Sequence, residues 1–275
     1  MPKAFRKNEV ATQRWQKGHH MTYTSLILCK ISVAVTSALG LYLCTTLCGQ
    51  LSLGTAGFMS VGAYIFACLG GAVGVAAAPA LLFLVSFALG LLLLRLSGDY
   101  LAAATLGIAE LVRICISNLS ALGGAGGMSV SFRLSSATAV ISVTLVLSLT
   151  LIFTKTKTAH LCRAISMDEI AARGCGVNVP LTKSLIFATS CAVCGFAGCL
   201  YAGSVGFVCP SDFGFTRSCE TLAAVIIGGK NPIAVTLCAA AFEILSALLV
   251  GFAEIKMLIY GTVLLLCCVR GRKNA

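Results

Sequence analysis

From residue 24 onward the chain alternates between long apolar runs and short breaks marked by polar residues, glycine or proline. The runs fall at 24–48, 51–77, 79–97, 100–120, 134–153, 184–206, 218–230, 234–251 and 257–269, built mainly from Leu, Val, Ile, Ala, Phe and Gly. None sustains the apolar–polar alternation of a strand, and a backbone crossing lipid must satisfy its own hydrogen bonds, so the pattern predicts helices. With about 20 apolar residues needed per crossing, the length allows roughly eight to ten crossings and leaves no room for a separate soluble domain. The expected fold is all-α: a polytopic helical membrane protein of about 8–9 membrane helices. Residues 1–22 form a basic tail without the apolar core or cleavage site of a signal peptide. Residues 23–275 form a single transmembrane domain. The runs at 51–77 and 218–230 are the weakest, the first rich in glycine and the second ending in Gly228-Gly229-Lys230-Asn231-Pro232. Such segments predict broken or re-entrant helices lining a cavity.

Charge orients the bundle. Only 11% of residues are charged, against about 25% in a soluble domain. The formal net charge of +11 sits in short loops, which suits cytoplasmic placement of Lys and Arg and not nucleic-acid binding. The segment 154–183 carries Lys155, Lys157, Arg163, Arg173 and Lys183, so it is expected to be a cytoplasmic loop. The C-terminal Arg270, Arg272 and Lys273 are expected on the same side, and an even number of runs separates the two. Five runs separate the basic tail from 154–183. Either one early run is re-entrant or the tail is exported against its charge.

The 15 cysteines lie mostly inside apolar runs, where a thiol acts as a small hydrophobe. Cys191-Ala192-Val193-Cys194 is mid-run with no second pair and no nearby histidine, so no metal site is expected. GxxxxGK[ST] does not occur, so the chain is not expected to bind ATP in that mode. Neither GxSxG nor HExxH occurs in the apolar runs, so the chain is read as no enzyme and as having no cofactor of its own.

One segment looks mechanical. Ser166-Met167-Asp168-Glu169 has the spacing of a capping box, continued by Ile170, Ala171 and Ala172. Arg173 closes the helix before Gly174 and Gly176, and Pro180 opens the next span. A short helix joined on both sides to membrane spans can transmit force from a cytoplasmic partner; it can equally be a loop helix with none. A second segment, Gly49 to Gly57, places Gln50, Ser52 and Thr55 among Gly49, Gly54 and Gly57. It reads either as a polar break lining a substrate path or as a tight corner between helices.

In the apolar run after 184, Gly195, Gly198, Cys199, Ala202, Gly203 and Gly206 recur at helical spacing, a pattern for close packing in lipid. Glu110 and Arg113 sit three apart and are expected to form a buried ion pair. Arg95 and Asp99 can pair across their turn. Glu243 has no partner in its own run and is expected to pair with a neighbouring helix.

Several of these stretches resemble one family. Gly49-Gln50-Leu51-Ser52-Leu53-Gly54 followed by Gly62-Ala63-Tyr64 is similar to an element of branched-chain amino-acid ABC transporter permeases. So are Leu94 to Ala102 with Thr105-Leu106-Gly107 and Glu110 to Arg113. Arg163 to Ala172, Gly176 to Val179, Lys183 and Ala197 to Ala202 resemble that family's cytoplasmic coupling region and following span. Pro210-Ser211 and Ile226 to Gly229 continue the likeness. The order is the family's over most of residues 45–232, nearest to its M-type subunit.

The resemblance implies a type II-like ABC importer permease in the bacterial plasma (inner) membrane. Its partners would be a paralogous permease subunit, two cytoplasmic ABC ATPases that use the ATP, and an extracytoplasmic solute-binding protein. It assigns Ser166, Asp168, Glu169, Ile170, Ala171, Ala172 and Arg173 to a coupling helix docked on an ATPase, and Gly49 to Gly57 to the translocation region. The implied cargo is branched-chain or related amino acids. Urea or short amides in the same machine, and an ion-coupled carrier using Glu110 or Glu243, are the alternatives. The sequence departs from the family's pattern in three places: a preceding helix is missing, Thr55 stands for a histidine, and Lys230-Asn231-Pro232 stands for further glycines.

Overall fold

The structure, a computed structural model, describes residues 23–93, 96, 98–248 and 261–262. Helix α1 (Tyr23–Tyr42) widens into a π-helical turn at Leu43–Leu47. It is followed by α2 (Thr55–Leu69), α3 (Gly71–Leu93), α4 (Asp99–Asn118) and α5 (Ser136–Phe153). Two short helices, α6 (Lys157–Met167) and α7 (Glu169–Gly174), precede the long α8 (Val179–Val205), and α9 (Phe215–Gly228) and α10 (Pro232–Leu248) complete the described bundle. The basic tail and the run at 257–269 lie outside the described residues, apart from residues 261–262.

Among the described residues, five helices are long and apolar enough to cross a membrane: Thr24–Leu47, α3, α4, α5 and α8. Their environments differ. The apolar windows of α8 and of Thr24–Leu47 are 67% buried within the protein, whereas that of α5 is 17% buried. Helix α8 is thus the central post, packed against α1, α2 and α3. On the periphery Leu84 and Leu92 of α3 and Ile141 and Ile152 of α5 face outward, as helices that meet lipid should.

The small-residue pattern of α8 is used for close approach. A Cβ on Gly62 of α2 would lie 2.1 Å from the Gly195 carbonyl oxygen, and one on Gly198 would lie 2.0 Å from that of Met59. The two backbones are in direct contact, which side chains at either position would prevent.

Expectation and structure differ at the boundary of α2 and α3. The apolar pattern places it near residue 78, before Pro79; the break lies at Gly70-Gly71, with φ of +65° and +55°, and Pro79 sits inside α3. Two successive glycines in left-handed conformations end a helix, whereas a proline in a membrane helix loses one hydrogen bond that the surroundings tolerate.

Helices α1 to α5 alternate in direction between two ends of the bundle. At one end Gly49 meets Ser166 and Gly90 meets Ser184; this end carries the basic 154–178 segment. At the other end Gly70 meets Phe132, and β1 (Met128–Ser129) pairs antiparallel with β2 (Phe207–Val208), Met128 opposite Val208. The tail's attachment point at Tyr23 therefore lies opposite the basic end. Helices α2 and α9, of 15 and 14 residues, rise only about 22 Å each, less than the ~30 Å hydrocarbon core. Non-helical backbone at 49–54 and 206–214 precedes these two short helices.

Candidate functional site

The basic end is built around α6 and α7. Helix α6 buries Ala159, Cys162 and Ile165, one side at three-residue spacing. The chain turns at Asp168, whose extended backbone lets its carboxylate accept from the Ile170 and Ala171 amides at 2.9 and 3.0 Å. The expected capping box is therefore corrected. Ser166 lies within α6, with its hydroxyl donating to the Arg163 carbonyl at 2.8 Å, and Asp168 is the cap. A charged carboxylate two residues ahead of an orphan amide is the stronger acceptor. Glu169, released from capping, binds Arg173 and Lys183, each at 2.6 Å. The Lys183 ammonium holds its carboxyl below the usual range, Arg173 adding to the effect and partial burial opposing it.

Because Lys183 belongs to α8, Glu169 straps the short helix to the central post. Ala172 is buried with Ile165 and Val179, and the Asn178 side chain caps the start of α8 by accepting from the Leu181 amide. Met167 and Ile170 point the other way, 85% and 84% exposed. A short helix clamped on its inner side presents an apolar tip outward, a form suited to docking. Of the predicted residues, Asp168, Glu169, Ala172 and Arg173 hold the element, Ile170 is exposed at its tip, and Ala171 supplies a capped amide. Lys183, the strap, is a basic residue 14 positions from Glu169, a separation no local pattern reports.

The polar break lies beside this element. Gly49 has φ +69°, and a Cβ there would stand 3.3 Å from that of Ser166. Beyond it Gln50 and Ser52 are buried, each 4% exposed. The Leu53 amide donates to the Thr105 hydroxyl of α4 at 3.0 Å, and the Ala56 amide to the Ser218 hydroxyl of α9 at 3.1 Å. Gly57 lies against Ala109 of α4. The break is thus knitted to two other helices by hydroxyls that apolar periodicity does not single out. The Gln50 amide nitrogen and the Thr55 hydroxyl are buried with no hydrogen-bond partner among the described residues. An unmet buried polar group is costly.

The charged residues resolve differently from one another. Glu110 and Arg113 pair at 2.7 Å, but their side chains are 32% and 35% exposed. The pair forms and is not buried, because Thr105, Ala109 and Ile116 occupy the inward face of α4. Glu243 finds its neighbour: Arg217 of α9 binds Glu243 at 3.1 Å and Glu220 at 3.4 Å, all three largely buried. The proposed Arg95–Asp99 pair lies outside the described residues. Twelve of the described cysteines, Cys44, Cys162 and Cys191 among them, are free thiols. Cys194 donates to the Ser37 carbonyl and Cys199 to that of Gly62, small side chains filling helix contacts. Among the described residues no group of three His, Cys, Asp or Glu side chains could hold a metal ion.

A family model described as branched-chain amino acid transport system / permease component matches residues 23–268. The high-affinity branched-chain amino acid transport system permease proteins LivM of Salmonella typhimurium (strain LT2) and of Escherichia coli (strain K12) are similar at 34% and 31% identity over 280 aligned positions. The alignments cover 86% of this chain and 66% of each relative, so the chain spans just under two thirds of their length. No solved structure matches.

Proposed function

Since this chain belongs to the branched-chain amino acid transport permease family and is a multi-pass inner-membrane protein, we propose that it is a membrane subunit of an ATP-driven importer. In this reading it translocates branched-chain or related amino acids handed over by an extracytoplasmic binding protein. It works beside a paralogous permease and two cytoplasmic ATPases that bind and hydrolyse the nucleotide. The observation that carries the reading is the clamped α7: an apolar tip at Met167 and Ile170, with Glu169 tied to Lys183 of the central helix.

A push on the tip has a defined route inward. Asp168 and the Glu169–Lys183 strap hold α7 as one piece with the foot of α8, so displacement of the tip moves the post. Ser166 abuts Gly49, so the same displacement reaches the polar break and the buried Gln50 and Thr55. ATP would enter only through the partner subunits.

Met167→Asp and Ile170→Asp, placed on exposed positions, should leave the permease inserted and folded. They should abolish retention of a tagged ATPase on purification and reduce uptake of labelled leucine in cells by at least tenfold. Unchanged retention and uptake would remove α7 from the coupling path. Labelled urea in the same cells identifies the cargo: uptake of urea and not leucine would transfer the machine to a different solute.

A further inference from the structure

We propose that the basic end of the bundle holds a specific binding site for the headgroup of an anionic phospholipid, between α1, α5, α6 and the start of α10. A cavity of about 590 Å³ opens there, and its lining includes the polar Tyr42, Arg163 and Lys230 and the apolar Leu151, Ile233 and Leu237. No acidic residue lines it. Neither Arg163 nor Lys230 has a carboxylate partner among the described residues.

The geometry is that of a receptor for a phosphate. The Tyr42 hydroxyl donates to the Lys230 carbonyl at 2.8 Å, which fixes the Lys230 backbone and leaves its exposed ammonium free. Arg163 stands against the same phenol. Helix α10, 17 residues long, begins at Pro232, and Pro232, Ile233 and Ala234 line the cavity, so the positive end of its dipole lies at the cavity wall. Two cations and a helix start thus border one volume, with the Tyr42 phenol holding the Lys230 backbone in place, and an anion bound there meets no carboxylate on the cavity wall.

The apolar side identifies the ligand as an amphiphile. Ile233 and Leu237 are 55% and 67% exposed, and Ile152, beside Leu151 on α5, is 63% exposed. The apolar lining of the cavity therefore includes residues of the outward apolar face of the bundle, where an acyl chain would lie. A free anion would make no use of that half. Basic pockets between membrane helices on the side of the basic loops are known to take acidic headgroups. Lys230-Asn231-Pro232, the departure that the transport reading leaves unused, supplies both the ammonium and the helix start.

Native mass spectrometry of the purified full chain in detergent tests this with phosphatidylglycerol, phosphatidylcholine of the same acyl chains, and inorganic phosphate as probes. Phosphatidylglycerol should bind at least tenfold more tightly than phosphatidylcholine. Lys230→Gln should weaken it roughly fivefold and Lys230→Gln with Arg163→Gln by more than tenfold, the loss expected from one and two cations near an anionic headgroup. Lys230→Arg should bind as the natural chain does, and Lys157→Gln, an exposed cation at the same end, should change nothing. Equal binding of the two lipids would overturn the site, as would an equal loss in Lys157→Gln. Displacement of phosphatidylglycerol by an equimolar amount of inorganic phosphate would make it a free-anion site instead.

Discussion

The Arg217 cluster makes an asymmetric prediction. One guanidinium faces two carboxylates, at 3.1 Å from Glu243 and 3.4 Å from Glu220, with side chains 19%, 10% and 12% exposed. At an effective dielectric near 20 each contact supplies about 5 kcal/mol of gross attraction, and taking the three charges out of water cancels most of that sum. Arg217→Met removes both attractions and leaves two buried carboxylates facing each other, so it should cost about 3–5 kcal/mol. Glu243→Gln instead leaves one carboxylate on one guanidinium and retains an oxygen to accept from Arg217. It should cost less than about 1 kcal/mol. Thermal unfolding in detergent, followed by labelling of the buried thiols Cys191, Cys194 and Cys199 with a maleimide dye, reads the difference directly. At about 2–4 °C per kcal/mol for a chain of this size, Arg217→Met should unfold on the order of 10 °C lower and Glu243→Gln within about 3 °C of the natural chain. If Glu243→Gln fell as far as Arg217→Met, the excess carboxylate would be essential to the cluster and the charge count would be wrong.

Two further outcomes follow from the helix contacts and the strap. Gly62→Ala drives a Cβ into the Gly195 backbone and should cost more than about 2 kcal/mol, whereas Gly107→Ala, with nothing within 4 Å, should be neutral or stabilising by up to about 1 kcal/mol; equal thiol-labelling midpoints for the two would refute the close approach. The folded-state pKa of Glu169 is lowered by Lys183 and Arg173. The strap's contribution is therefore present above the ordinary carboxylate pKa of about 4.3 and is lost as pH falls through the lower folded value. Hydrogen-exchange protection of the α7 amides should be level from neutral pH to about 5 and fall below 4, and Glu169→Gln should remove that step.

The relation of sequence to structure differs from element to element. The α8 span, its small residues and the membrane character of the whole were legible because lipid imposes long apolar helices and because small residues at helical spacing admit only close packing. The short spans α2 and α9 were legible as weak runs. The Ser166 cap failed because a capping box is a local motif: whether a serine ends one helix or opens another depends on where the previous helix stops, and α6 runs on to Met167. Glu110 and Arg113 were paired correctly by spacing, yet their burial depended on which face of α4 meets α2.

Apolar run length and the scarcity of charge determined the class of molecule, since this follows from the free energy of residues in lipid or water taken one at a time, and short motifs carried the family resemblance. The tertiary structure alone decided that Lys183 reaches Glu169, that Thr105 and Ser218 receive the amides of the polar break, that Arg217 answers Glu243, and that Arg163, Tyr42 and Lys230 surround one cavity. Those residues lie from 14 to 188 positions apart, and a hydrogen bond or ion pair acts over a few ångströms. No periodicity along the chain can therefore record such a pair until packing has brought its two sides together.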